Sequence, residues 1–251
     1  MHILKSDILM IVGIVSLTIS LLIFSLSFAN AKTLFEDKFN AGMSNWQIVG
    51  PPNGEVNIKN DKSAPAKYGP EVLFMKEPAS GTDLMAFVKD LKVTDGFYEL
   101  LWKDAGLPED TDGPIWFRSQ DMQNGPQAGN GYLVELDTDT GLHIGVIKNG
   151  TEGPTFISPG VEKSSGDWTW MKVQFEGPDI KVKIWLANEN EPVKWNLEAK
   201  DSSFKEGFIG LRCWSGTAHI AYIRISDLKG PTPVEPRDRL AITWGRIKFQ
   251  D

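Results

Sequence analysis

The chain has 251 residues, 41% of them hydrophobic, and a formal net charge of −7. That acidic balance, with no basic stripe, excludes the counterion-releasing footprint a nucleic-acid partner requires, and the length suits one large domain with short extensions. Cys213 is the only cysteine, so no internal disulfide can form and nine Trp, thirteen Phe and the aliphatic residues must carry the core.

Residues 1–31 read as a signal peptide. Lys5 precedes an apolar stretch over 8–28, and Ala29-Asn30-Ala31 supplies the small-x-small pattern of a cleavage site. The mature chain is expected to start at Lys32, to be secreted or periplasmic, and to have no membrane span after cleavage. An uncleaved anchor is the alternative, because the run approaches the ~20 residues that span a bilayer, although Gly13 and several serines dilute it.

From 32 to 229 short alternating runs are separated by Gly, Pro, Asn and Asp, the pattern of an all-β protein. Strands are predicted over 33–39, 46–49, 55–59, 72–76, 84–89, 97–103, 115–119, 131–137, 142–148, 155–157, 169–176, 180–186, 194–199, 207–214 and 219–226. Two hairpins stand out. One turns at Thr138–Gly141, the other at Gly177-Pro178-Asp179, where Met171, Val173 and Phe175 alternate on one arm and Ile180, Val182 and Ile184 on the other. Such runs predict an antiparallel two-sheet β-sandwich with one buried and one wetter face on each sheet. Cys213 falls in phase with Ile209 and Leu211 and is expected to be a buried thiol rather than a nucleophile. Residues 230–251 form a Pro-rich linker followed by a short amphipathic tail with Leu240, Ala241, Trp244 and Ile247 on one side. The tail either packs on the sandwich or contacts an envelope protein.

The run Asn130 to Asp139 carries the most suggestive chemistry. Alternation puts Leu133, Glu135 and Asp137 on one face, and carboxylates two residues apart on a strand lie about 7 Å apart. Such a pair can share protons or act on opposite sides of a glycosidic bond; a solvated acidic strand face is the plainer reading. The spacing resembles the active-site strand of glycoside hydrolase family 16, a concanavalin A-like family with a Glu-x-Asp-x-(x)-Glu motif. That resemblance implies Glu135 as nucleophile and Asp137 as the intervening carboxylate. The chain departs from it at the acid/base position, where Asp139 or Thr140 stands.

A wider pattern runs from Leu34 to Asp227: Leu34-Phe35-Glu36-Asp37-Lys38-Phe39 and Asn45-Trp46, then Gly113-Pro114-Ile115-Trp116-Phe117-Arg118-Ser119, Gly131-Tyr132-Leu133-Val134-Glu135-Leu136-Asp137, Thr140-Gly141, Gly166-Asp167-Trp168, Gly207-Phe208-Ile209-Gly210-Leu211 and Ala221-Tyr222-Ile223-Arg224-Ile225. Its order resembles the bacterial 3-keto-disaccharide hydrolase domain family. The resemblance implies a concanavalin A-like jelly roll, a sugar-directed hydrolase activity, and Arg118, Glu135 and Asp137 at the family-like polar positions, with Pro114 and Trp116 departing from the small residues usual before the Phe-Arg pair.

Alternation also pairs tryptophans with basic residues: Trp116 with Arg118, Trp170 with Lys172, Trp185 with Lys183, Trp214 with Arg212. Sugar rings stack their C–H faces on Trp while hydroxyls take charge-assisted hydrogen bonds. Trp116, Arg118, Trp170, Lys172 and His143 are therefore candidate carbohydrate-binding residues, with Glu135 and Asp137 as catalytic candidates and His143 as a carboxylate-orienting or proton-carrying group. The alternative is surface packing of Trp under Arg and Lys stems on different sheets. No metal-ligand spacing of Cys and His exists and no cofactor is expected; a structural calcium at Asp104, Glu109, Asp110 and Asp112 stays open. Three functions compete: a secreted enzyme that hydrolyses or otherwise processes a glycoside, a non-catalytic module binding a glycan or protein, and a structural envelope protein.

Overall fold

A computed structural model describes residues 31–77, 81–105, 114–137, 141–158, 160–161 and 166–228. Residues 1–30 of the predicted signal peptide, the C-terminal tail, the acids of the proposed calcium loop other than Asp104, and Asp139 and Thr140 lie outside the described residues. Within them stand fifteen strands: β1 (Thr33–Asp37), β2 (Trp46–Val49), β3 (Glu55–Asn60), β4 (Glu71–Glu77), β5 (Leu84–Val93), β6 (Gly96–Asp104), β7 (Pro114–Ser119), β8 (Gly131–Asp137), β9 (Gly141–Lys148), β10 (Thr151–Ser158), β11 (Thr169–Glu176), β12 (Asp179–Leu186), β13 (Leu197–Lys200), β14 (Gly207–Cys213) and β15 (Gly216–Ser226). Among the described residues no helix is long and apolar enough to cross a membrane.

The strands form two antiparallel sheets packed as a jelly-roll β-sandwich. The first runs β13-β12-β11-β6-β15-β4-β3, with β1 also against β15; the second runs β10-β9-β8-β7-β14-β5-β2. The second hairpin has the expected form, with Met171, Val173 and Phe175 opposite Ile184, Val182 and Ile180 and Gly177 at a positive φ of 52° in the turn. These side chains meet Tyr132, Val134 and Leu136 of β8 and Leu142, Ile144 and Val146 of β9 across one shared core. Cys213 lies in that core, where burial pushes its thiol up to about 12.

Some strand ends differ from the sequence expectation. β10 begins at Thr151 rather than 155, running through Gly153-Pro154 with a register shift between Glu152 and Thr155. An outermost strand tolerates this because proline need not donate to a neighbour there. β15 begins at Gly216, pairing with Glu77 of β4.

The largest departure from simple alternation is at Arg118. Register slips where β14 passes β7, Phe208 facing Ser119 but Ile209 facing Phe117, and Arg118 is the extra residue at φ 48°. The bulge turns its side chain away from the Trp116 face and into the end of the sandwich, fully buried. There Nε donates to Thr94 O (3.0 Å), Nη1 to Gly177 O (2.9 Å) and Phe204 O (3.0 Å), and Nη2 to Thr94 O (2.6 Å) and Asp95 Oδ1 (3.2 Å). The cation also lies 5.4 Å from the Phe175 ring centre. Gly207 allows the bulge, since a Cβ there would fall 2.3 Å from the Arg118 carbonyl carbon. Arg118 thus ties three loops of both sheets together, and its donors serve the fold rather than the Glu135 face.

Replacing Arg118 with Met should strand the carbonyls of Thr94, Gly177 and Phe204 and cost roughly 3–5 kcal/mol, read from urea unfolding. A loss below about 1 kcal/mol would mean that the clamp contributes little.

Candidate functional site

The outer face of the second sheet gathers charges that the chain holds far apart. Glu135 of β8 lies directly opposite His143 of β9, so the two side chains emerge side by side. On the other flank of Glu135, β7 begins at Pro114, its direct partner. From β14, Arg212 Nη1 donates to Glu135 Oε2 at 2.8 Å, and its Nε donates to Asp83 Oδ1 at 2.8 Å. Asp83 stands just before β5 and also accepts from the Gln127 backbone N–H at 2.7 Å. His143 Nε2 sits 3.1 Å from Glu135 Oε1 and 3.6 Å from Glu152 Oε1 on β10. The result is one chain of ion pairs, Asp83–Arg212–Glu135–His143–Glu152.

Local backbone explains how Glu152 gets there. Gly145 has no side chain where Glu152 folds back, and a Cβ would sit 2.5 Å from its Oε1. Burial is graded along the chain: the side chains of Glu135 and His143 are each 7% exposed, that of Glu152 36%. Glu152 is therefore the end that meets solvent.

Charge makes the centre basic. Three carboxylates face one guanidinium, so a neutral imidazole leaves a net charge of −2 (three minus one). Burial opposes the charged imidazole, but the hydrogen bond with Glu135 and the charges of Glu135, Glu152 and Asp137 outweigh it and raise the His143 pKa above 6.5. Asp137 ends β8 opposite Gly141, half-buried and close enough to contribute. Oxygens of Glu135 and Glu152 and a ring nitrogen of His143 also lie within 4.8 Å of one another, an arrangement able to hold a divalent cation.

The other candidates are not at this site in the way alternation suggested. Trp116 shares the outer face, but it is fully buried in an apolar layer with Met85, Phe87, Leu133 and Ile147, so its ring offers no stacking surface. Trp170 and Lys172 lie on the outer face of the first sheet. Trp170 stacks on Trp185 at 5.9 Å with planes 15° apart, and Lys172 Nζ meets Glu191 (3.3 Å) and Glu99 (3.5 Å). Sheets packed ~10 Å apart point their outer faces opposite ways, so one groove cannot hold Trp116, Glu135, Trp170 and Lys172. Asp83, Arg212 and Glu152 escaped sequence reasoning. For Arg212 the signal was its phase with Trp214, over which its guanidinium lies at 5.0 Å; the other two sit beside loops and a register shift, where alternation carries no information.

Comparison with known proteins agrees with this architecture. Residues 30–226 match the profile of the 3-keto-alpha-glucoside-1,2-lyase-like domain, the 3-keto-disaccharide hydrolase family that the motifs resemble. A levanase of Bacillus sp. (strain L7) is 25% identical over 205 residues, covering 80% of this chain but 19% of the levanase, so the match spans about a fifth of that enzyme. Among solved structures, carbohydrate-binding module CBM66 from Bacillus subtilis aligns with a TM-score of 0.53 at 19% identity, covering 74% of this chain and 97% of the module. Lectin I-B4 from Griffonia simplicifolia aligns at 0.51 and 12% identity over 76% of this chain and 98% of the lectin. With the profile matched from the first strand to the last, this chain belongs to the 3-keto-alpha-glucoside-1,2-lyase-like domain family.

Proposed function

We propose that this domain processes a glycoside by proton transfer at the outer face of the second sheet, with the cluster around Glu135 and His143 as its acid–base centre. The observation that carries this reading is the imidazole nitrogen held between two carboxylates, one buried and one open to solvent. Both Glu135 oxygens are engaged, Oε1 by His143 and Oε2 by Arg212, which disfavours a covalent nucleophile and favours a group that positions and charges its neighbour.

The family's name supports a 3-keto glucoside as substrate, losing its aglycone by elimination across C1 and C2. A ketone at C3 acidifies the C2 hydrogen. A base removes that proton, its electron pair forms the C1–C2 double bond, and the C1–O pair leaves with the aglycone oxygen, which then takes a proton. In this assignment Glu152 meets the C2 hydrogen, His143 holds the proton behind it, and Glu135, Asp137 and Arg212 set the charge and orientation of His143.

Export fits the same reading. Lys32 N lies 3.0 Å from Asp227 Oδ1, so cleavage after Ala31 would free an α-ammonium beside a carboxylate. Mass spectrometry of protein expressed with its full N-terminus should give a mature chain starting at Lys32; an intact Met1 start in the exported fraction would refute the assignment.

With p-nitrophenyl 3-keto-α-glucopyranoside as substrate, Glu152→Gln and His143→Gln should each lower kcat by roughly 10²–10⁴-fold, with KM changed far less. Sugar binding without turnover is the competing reading, favoured by how fully Glu135 is paired. A wild type that binds keto-glucosides yet releases no aglycone would establish it and end the catalytic proposal.

The raised His143 pKa adds a stability signature. Such a group contributes fully below its unfolded value, near 6.5, and the contribution fades as pH rises through the folded value. The melting temperature of the wild type should exceed that of His143→Gln most at pH 5.5–6.5 (approximate bounds) and converge toward it at higher pH. A gap that widens with pH would contradict the charge balance described above.

A further inference from the structure

The outer face of the first sheet, on the opposite side of the molecule from Glu135, holds a second unusual grouping. Outward faces of a sandwich are normally polar, yet Trp168, Trp170 and Tyr222 gather here over Val72 and Leu101. Tyr68 packs edge-on against Trp170 at 5.7 Å and tilts against Tyr222 at 4.8 Å, locking the Trp170 ring. Trp185, across from Trp170 on β12, extends the aromatic surface as a parallel stacked partner. Both indoles of this pair are half-buried, each keeping part of its surface in solvent.

A pocket of about 290 Å³ opens where these strands end, lined by Pro65, Asp167, Trp168, Leu186, Ala187 and Asn188. Its walls are preorganised. Trp168 Nε1 donates to Ser63 Oγ at 3.1 Å, Lys103 Nζ lies 5.1 Å from its ring centre, and the Ala187 N–H donates to Trp168 O at 2.8 Å. The apolar wall of Trp168, Leu186 and Ala187 is rimmed by the exposed Asp167 carboxylate and Asn188 amide.

We infer that this pocket, with the adjoining Trp170–Trp185 pair, is a second carbohydrate site that takes a neutral glucose ring. An apolar wall fits the C–H face of a pyranose, and a rim of one acceptor-only and one donor–acceptor side chain fits its hydroxyls. Among the described residues the lining carries a carboxylate and no cation, which disfavours phosphate or uronate ligands. Its size, at the lower end of the roughly 300–1,000 Å³ of ligand pockets, suits a terminal ring rather than a buried oligosaccharide. The site anchors an unoxidised part of a glycan away from the Glu135 cluster. It rests on the carbohydrate character of the family and not on the acid–base reading.

Calorimetric titration of the full chain with methyl α-D-glucopyranoside and with maltotriose tests this. Both should bind in the millimolar range and perturb tryptophan fluorescence. Ala187→Trp, which fills the pocket, should weaken binding at least tenfold, Asn188→Ala several-fold, and Glu135→Gln not at all. Circular dichroism melts of each variant check that the fold is kept, and Asn188→Ala, altered at an exposed rim, serves if Ala187→Trp does not fold. Absence of binding by both sugars overturns the proposal, as does wild-type affinity in the pocket variants. Loss of binding in Glu135→Gln alone would assign the sugar to the other face, overturning this site while leaving the acid–base reading intact.

Discussion

Two antiparallel sheets share one dry interior, and every strand must give that interior alternate side chains. Tyr132, Val134 and Leu136 go in from β8, so Leu133 and Glu135 must go out. The same rule sends Met171, Val173 and Phe175 inward from β11 and leaves Trp170 and Lys172 outside. Core packing thus decides, strand by strand, what each outer face can present. The two candidate sites are the by-products of one hydrophobic requirement acting on opposite sheets.

On the second sheet the outer face is itself partly dry. Trp116, Met85, Phe87, Leu133 and Ile147 form a compact apolar layer there. Charges placed on such a face lose much of their hydration, which costs several kcal/mol per ion unless each is paired. The series from Asp83 to Glu152 offsets that cost by pairing every buried charge with one of opposite sign or with the imidazole. Because acids outnumber the guanidinium, the remaining imbalance favours the charged form of His143 and raises its pKa. A basic imidazole is thus a consequence of the acid excess.

The first sheet solves its outer face differently. Lys172 and Lys183 lie directly opposite each other, a repulsive pairing for like charges. Glu191 bridges both, at 3.3 and 3.0 Å, and Glu99 adds a contact to Lys172 at 3.5 Å. Beside this neutralised row the Trp170–Trp185 pair presents a flat aromatic step. One face is therefore an electrostatic centre and the other an aromatic platform, and the tryptophan-plus-cation pattern seen along the chain belongs to both without joining them.

Sequence alone determined the sandwich, all fifteen strands in outline, the turn at Gly177, the burial of Cys213 and the emergence of Glu135 beside Asp137, because each follows from a two-residue period read within a single run. What it could not carry is whatever breaks that period or crosses between runs. Arg118 sits on a bulge, so one extra residue sends its guanidinium into the interior, against the alternation that places it with Trp116. Glu152 reaches His143 past Gly145 through a shifted register, and Arg212 and Asp83 join Glu135 from 77 and 52 residues away (212 minus 135, 135 minus 83). Which strands become neighbours is decided by the pairing of the whole chain, and only the tertiary structure brings those charges into contact or sets Trp170 on the far side from Glu135.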